Sequence, residues 1–442
     1  MKQLFIILLS ISTFSFAQTP NFEKLDQFLD LLLKNNKLMG SLEISKNRQS
    51  IYQKSVGYQY LNYAKKGEAT ASSKYKIGSI TKTFTATMIF QLIEEGKLSL
   101  NTKLSVHFPR VKNASKITIE HLLTHSSGLY NLTNAAEFGT WKSKPTTPIE
   151  MLSRIKKFDT MFQPGEKYEY SNTNYLLLGY IIERLDNKTY ADALNTRIVN
   201  KLGLTNTYYG SDININNKEC HSYTYANELW QQSPETHMSL PGGAGGIVSN
   251  TTDLIAFMEA LFNNEIISRE SLKAMTTPAN EDFCKGIFKS NVQGQTLFGH
   301  EGGIDGFQSM LVYVPEFKTT IAFTANALNY SKMQIMLNAF QASLGMDIML
   351  PTFNKIELTE DEVKQYTGVY ESTETPYDLV FEANGTILKG APEGSDLKDL
   401  VPTKKHEFAF EALQIKLNFN LSEQSVMFKQ ADKKAIKFTR KK

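Results

Sequence analysis

Residues 76–86 read KIGSITKTFTA: a hydroxyl, Ser79, stands three positions ahead of an amine, Lys82, as the chain turns into an apolar run. Phe84, Met88 and Leu92, with Ile89 and Ile93, repeat at helical spacing, and Gly96 supplies a stop. The pattern predicts a buried helix over Thr81–Glu95. Positions three apart share a helix face, so the two side chains can meet. A serine hydroxyl is a weak nucleophile until something takes its proton. A lysine walled in by apolar neighbours loses solvation of its charged form, so its pKa falls and it can act as base or relay. Free N–H groups at the helix start favour negative charge there. The rival reading is that Ser79 merely caps the helix. S-x-x-K occurs four times, at Ser73/Lys76, Ser79/Lys82, Ser153/Lys156 and Ser395/Lys398. Only Ser79 follows a glycine and opens a long buried helix.

Outward from this helix, residues 18–355 alternate helical patterns with short strands. TPIEML predicts a helix start, with Thr147 as cap, Pro148 at the first turn and Glu150 closing a capping box. NYLLLGYIIERL and DLIAFMEALF read as further buried helices, and GSLEISK, SMLVYVPE and TTIAFTAN as strands. This mixture predicts an α/β (α+β) fold. The texture then changes. Residues 356–442 alternate with period two, as in YDLVFEANGTILKG, where Asn384-Gly385 is a strong hairpin signal. They predict a separate all-β module, a small barrel or sandwich.

With 442 residues the chain is too long for one core. Its 48 Lys+Arg against 45 Asp+Glu leave +3, a balance that gives no reason to expect nucleic acid as a partner. The basic end, KKAIKFTRKK, reads as a solvated strand. MKQLFIILLSISTFSFAQ has a positive start, an apolar middle and a small-residue cleavage site after Ala17. Residues 1–17 are therefore expected to be a secretory signal peptide, with no cysteine near the cut for lipid attachment. The expected location is periplasmic or secreted, with no stable membrane anchor after cleavage; a retained N-terminal anchor is the alternative. Export makes a disulfide permissible, and Cys220 and Cys284 are the only candidates; the sequence leaves their pairing open.

Further motifs follow in order: YSN at Tyr170–Asn172 and HEG at His300–Gly302. With their flanks (ITIEHLLTHSSGL, QPGEKYEYSNTNYLLLGYIIE, GGAGGIVSNTTDLIAFM, GHEGGIDGFQS), they make the chain resemble the serine β-lactamase and penicillin-binding-protein superfamily over about residues 25–345. The nearest branch is that of class C β-lactamases, D-alanyl-D-alanine carboxypeptidases and family VIII esterases. The resemblance implies a β-lactamase/transpeptidase-like fold with an antiparallel sheet flanked by helices. The C-terminal module resembles the barrels appended to some D-aminopeptidase-like members.

The resemblance also implies roles. Ser79 attacks a carbonyl and becomes an acyl-enzyme. Lys82 and Tyr170 share its proton, the tyrosine acting as base with a pKa lowered by the nearby ammonium. Asn172 orients the lysine or a substrate amide. The N–H groups of Ser79 and Gly303 form an oxyanion hole, Gly302 and Gly303 let the strand approach the substrate, and His300 lines the site, bonding Tyr170 or substrate. No cofactor or metal is implied, and the partner is a small-molecule or peptide substrate.

The third motif departs from the family's common K-T-G. His300 and Glu301 make a poor anion receptor, so potent β-lactamase activity is not expected. Esters or amides fit better, including peptides with a free amino group if Glu301 faces the cleft. Two alternatives stand beside this: a cell-wall D-Ala-D-Ala carboxypeptidase or β-lactamase, and a non-catalytic peptide- or wall-binding relative. HLLTH sets His121 and His125 at metal-pair spacing but lacks the glutamate of H-E-x-x-H, so both are expected to be structural. PGGAGG lacks the ending of a phosphate loop and is expected to be scaffolding near the site.

Overall fold

The computed structural model describes residues 20, 22–61, 66–279, 283–292, 294–353, 356–410, 415–430 and 434–441. The expected signal peptide, residues 1–17, lies outside the described residues. Two compact units are present: Phe28–Met336, and Leu337 to the end together with the described residues up to Gln27.

The larger unit is organised on an antiparallel sheet. Its strands are β1 (Leu38–Lys46), β2 (Gln49–Val56), β3 (Phe288–Val292), β4 (Gln295–Ile304), β5 (Phe307–Val314) and β6 (Thr319–Leu328), in the order β3-β4-β5-β6-β1-β2. A hairpin of Tyr223–Ala226 and Leu229–Gln232 adds to it through β6. Every expected strand is present. Beside the sheet lie four principal helices: α1 (Thr81–Glu94), α2 (Pro148–Ile155), α3 (Asn172–Asp186) and α4 (Thr251–Phe262). Helix α2 starts as its sequence requires. The Thr147 hydroxyl accepts from Glu150 N, and the Glu150 carboxylate accepts from Thr147 N.

Helix α1 runs through the core and is buried from Thr81 to Leu92. Phe84 stacks on Phe257 of α4, with centroids 3.6 Å apart. A helix buried all round must satisfy its polar side chains internally. Thr83 donates to Gly286 O, Thr85 to Gly243 O and Gln91 to Ile266 O.

The smaller unit contains a closed barrel of eight strands, running from Gly368–Glu371 to Ile436–Arg440, with the last strand paired back to the first. Alternate side chains fill the inside: Tyr370, Phe381, Leu388, Phe408, Phe419 and Phe438 are all buried. Rings meet edge to face, as in Phe381–Phe419 at 5.1 Å and 73°, a geometry the aromatic quadrupole favours. The expected turn at Asn384-Gly385 shifts by one residue. Asn384 still pairs with Ile387, so the loop is Gly385-Thr386, and the positive φ that a tight hairpin needs falls on Gly385 at +59°.

Cys220 and Cys284 are both buried and free, so no disulfide links them. Cys220 packs with Tyr75 and Phe307, and the Cys284 thiol points at Thr276 O.

Candidate active site

Ser79 sits in a single 3-10 turn, Gly78–Ile80, immediately before α1. Gly78 adopts φ +50°, and a β-carbon there would lie 2.7 Å from Gly303 N. A β-carbon on Gly302 would lie 2.0 Å from Ile77 O. Glycine is therefore required on both sides to let the serine turn and strand β4 touch backbone to backbone. Strand β4 pairs with β5 along its last residues, whereas its pairing with β3 ends at Gly299. Beyond that point β4 is paired on one side only among the described residues. This half-free edge lies beside Ser79.

Three remote stretches converge on the Ser79 hydroxyl. Lys82 Nζ lies 2.9 Å from Oγ, and Tyr170 Oη lies 2.9 Å from it. Tyr170 is held by the segment entering α3, whose first residue, Asn172, accepts from Lys82 Nζ at 2.8 Å through Oδ1. A third acceptor is Ala244 O, 2.7 Å from Nζ. Lys82 is 0% exposed. Burial drives its ammonium well below the ordinary lysine range.

Hydrogen-bond logic agrees with a neutral amine. Such an amine has two N–H donors and one lone pair. Asn172 Oδ1 and Ala244 O can only accept, so they take both donors. The lone pair then faces Ser79, whose hydroxyl donates to it while accepting from the Tyr170 phenol.

The tyrosine departs from expectation. Its pKa is raised, not lowered: burial dominates over the opposing Ser79 hydrogen bond, with Tyr168 and Glu301 adding to the rise. The ammonium invoked to lower it is itself pushed toward neutrality by the same dry surroundings. Tyr170 is thus a proton donor at rest, and the amine is the available base.

His300 is 3% exposed and does not bond Tyr170. Its Nδ1 donates to Glu301 O at 2.6 Å, while Nε2 is buried without a partner. Burial is the leading cause that lowers its pKa to about 3, so the ring is neutral. The Glu301 side chain is 56% exposed and ion-paired to Lys332 at 2.7 Å. Gly303 lines the cleft with Ser79, and Gly302 is buried against the serine turn. The two HLLTH histidines have separate duties. His121 Nδ1 accepts from Thr118 N in a helix cap; His125 Nδ1 accepts from Ser171 N, and its ring packs 4.3 Å from that of Tyr170.

The cleft opening on Ser79 has a volume of about 340 Å³. Beside Ser79, Asn172 and Gly303 it is lined by Leu132, Phe138, Trp141, Met151, Leu176 and Leu240, with Lys142, Thr236 and Asp305 among the polar groups. Apolar walls with few polar groups are usual for small-molecule sites. The sequence reading missed Ala244 O and the 138–151 wall. PGGAGG was the available signal for the first. A β-carbon on Gly243 would lie 2.7 Å from Tyr175 O, so glycine lets this segment press on α3 and aim Ala244 O at Lys82. The wall carries no motif.

The Beta-lactamase family model matches residues 26–345. Penicillin-binding protein 4* of Bacillus subtilis (strain 168) is 25% identical over 435 residues, covering 90% of this chain and 94% of that protein. Among solved structures, a D-stereospecific amidohydrolase from Streptomyces sp. aligns with TM-score 0.63 and 25% identity, covering 72% of this chain and 98% of that one. The octameric penicillin-binding protein homologue from Pyrococcus abyssi aligns with TM-score 0.66 and 24% identity, covering 94% and 99%; at that identity the likeness speaks for the fold. The match over most of the chain and the shared architecture place this protein in the β-lactamase family, within the superfamily of serine β-lactamases and penicillin-binding proteins.

Proposed function

We propose that the protein is an exported serine hydrolase that cleaves an ester or amide through an acyl-enzyme on Ser79. The observation that carries this reading is the Tyr170–Ser79–Lys82 chain, with both contacts at 2.9 Å, at the floor of an open cleft. The neutral Lys82 amine takes the Ser79 proton as Oγ attacks the substrate carbonyl. Tyr170 stabilises the reacting oxygen by donation and passes its proton to the leaving group, recovering one from Lys82. The N–H groups of Ser79 and Gly303 receive the carbonyl oxygen as it becomes negative. Water then attacks the acyl-enzyme by the reverse proton route and releases the acid. Asn172 fixes the amine; His300, neutral and buried, supports the strand edge.

Glu301 is ion-paired to Lys332, so recognition of a substrate amine by Glu301 requires that pair to open. Amide chemistry is supported by the similarity to an amidohydrolase. Export rests on residues 1–17; mature protein beginning at Gln18 by N-terminal sequencing is the expected result. A second reading, a penicillin-sensitive wall peptidase, is favoured by the full-length match to a penicillin-binding protein. Efficient β-lactam turnover is not expected.

Labelling of the intact chain with a fluorophosphonate or penicillin probe, read by mass, tests the nucleophile. One adduct on Ser79, absent in Ser79→Ala, is expected. No adduct between about pH 6 and 9, a range spanning tuned base values, favours a binding protein. A panel of esters, amides and cephalosporins tests the substrate class, and cephalosporins as the best substrates would overturn the β-lactam expectation.

A further inference from the structure

Lys142 and Asp305 are the charged residues lining the cleft among the described residues. Asp305 is fully engaged. Its carboxylate accepts from Thr236 N at 3.0 Å to each oxygen and from Thr236 Oγ1 at 2.7 Å, and Lys76 Nζ lies 3.9 Å away. Its side chain is 0% exposed, so no ligand reaches it.

Lys142 differs in every respect. It is half-buried, and its main chain is anchored where Lys142 O accepts from His237 N at 2.8 Å. The ammonium has no hydrogen-bond or ion-pair partner among the described residues. It follows Trp141 directly and shares the wall with Phe138 and Met151. An uncompensated cation in a concave apolar wall attracts anions more strongly than one on an open surface, since low-dielectric walls focus its field and salt screens it less.

Resting on the reading of Ser79 as nucleophile, we propose that Lys142 is a specificity-determining residue that selects substrates bearing a carboxylate beside a bulky apolar group. The third motif offers no free cation, and Lys142 supplies one from elsewhere in the cleft, the residue that follows the single helical turn Phe138–Trp141, rather than from the sheet edge. The apolar part of the substrate contacts Phe138, Trp141 and Met151 while the carboxylate meets the ammonium. A substrate whose only charge is an ammonium is repelled.

Equilibrium binding of 4-phenylbutyrate and its uncharged match 4-phenylbutyramide tests this, measured calorimetrically on the full chain in a Ser79→Ala background that removes turnover. A preference for the anion of about twofold to fivefold is expected, a typical size for one partly screened charge contact. The ratio should collapse in Lys142→Met, survive in Lys142→Arg, and shrink in roughly 0.5 M salt, where the Debye length is only a few ångströms. An equal preference in Lys142→Met, no preference in the parent, or binding of neither compound overturns the proposal. Probe labelling of the otherwise native chain separates this from the underlying reading. Labelled Ser79 without anion preference sinks only the role of Lys142; anion preference without labelling sinks the nucleophile and leaves an anion-binding cleft.

Discussion

The barrel and the larger unit spend their interiors differently. Inside the barrel, Tyr370, Phe381, Phe408, Phe419 and Phe438 interlock with leucines, and its two buried phenols are both partnered, Tyr370 with Tyr366 O and Tyr366 with His406 Nδ1. In the larger unit, Lys82, His125 and His300 are buried as well, the first two against the Tyr175 ring and the third against Phe283 and Phe288. Two of those three carry a ring nitrogen with no partner, and the third has been driven toward neutrality. An apolar interior gains its full transfer free energy, whereas desolvated ionisable groups cost stability and gain reactivity. The contrast assigns packing to one region and chemistry to the other.

The largest effect that would sharpen this contrast is on turnover. Ser79→Ala should lower the hydrolysis rate by about 10⁴-fold or more, with a thermal midpoint no lower than that of the parent. Residual activity within tenfold would break the assignment. In the barrel, Phe408→Ala should cost about 3–5 kcal/mol in the urea-monitored unfolding of that unit; a loss below about 1 kcal/mol would mean that its interior is not close-packed. Tyr170→Phe should retain the fold and lower kcat about a hundredfold, since the phenol proton is lost while its ring contact with His125 stays.

The smallest effects are on pH dependence. In the unfolded chain Lys82 is protonated up to its ordinary value of 10.5, but in the folded protein it loses its proton well below that. The unfolded state therefore binds more protons between those limits, and folding stability rises with pH across them. Against Lys82→Met, the native protein should gain about 1.4 kcal/mol per pH unit in that window. A difference independent of pH would refute a neutral Lys82. His300 acts on the acid side. Its folded value of about 3 lies below the ordinary 6.5, so its contribution is complete above pH 6.5 and falls as the solution is acidified toward 3. Comparison with His300→Gln should show a similar slope there.

Much of this was legible in the chain because local rules governed it. The capping box at Thr147 and Glu150, the helix ending before Gly96 and the alternation of the barrel strands each depend on neighbours in sequence. The convergence of Ser79, Lys82, Tyr170 and Asn172 was readable only through the order of motifs, since no local rule brings residues 79 and 170 together. What sequence could not give was environment. The direction of the Tyr170 shift depends on how dry its pocket is, and the partner of Glu301 proved to be Lys332, a residue in no motif. Hairpin register at Gly385 shifted because cross-strand pairing held Asn384 within the ladder.

The two thiols have a practical corollary. Burial raises the pKa of each, to about 11 for Cys284, and a protonated, shielded sulfur reacts slowly with alkylating agents. Thiol-directed maleimide or iodoacetamide labelling of the native protein should therefore be slow, so an electrophilic tag that appears quickly on it is not a thiol adduct. Because no cystine has to form, the chain lacking its first 17 residues should also mature in a reducing cytosol, with no oxidative folding machinery.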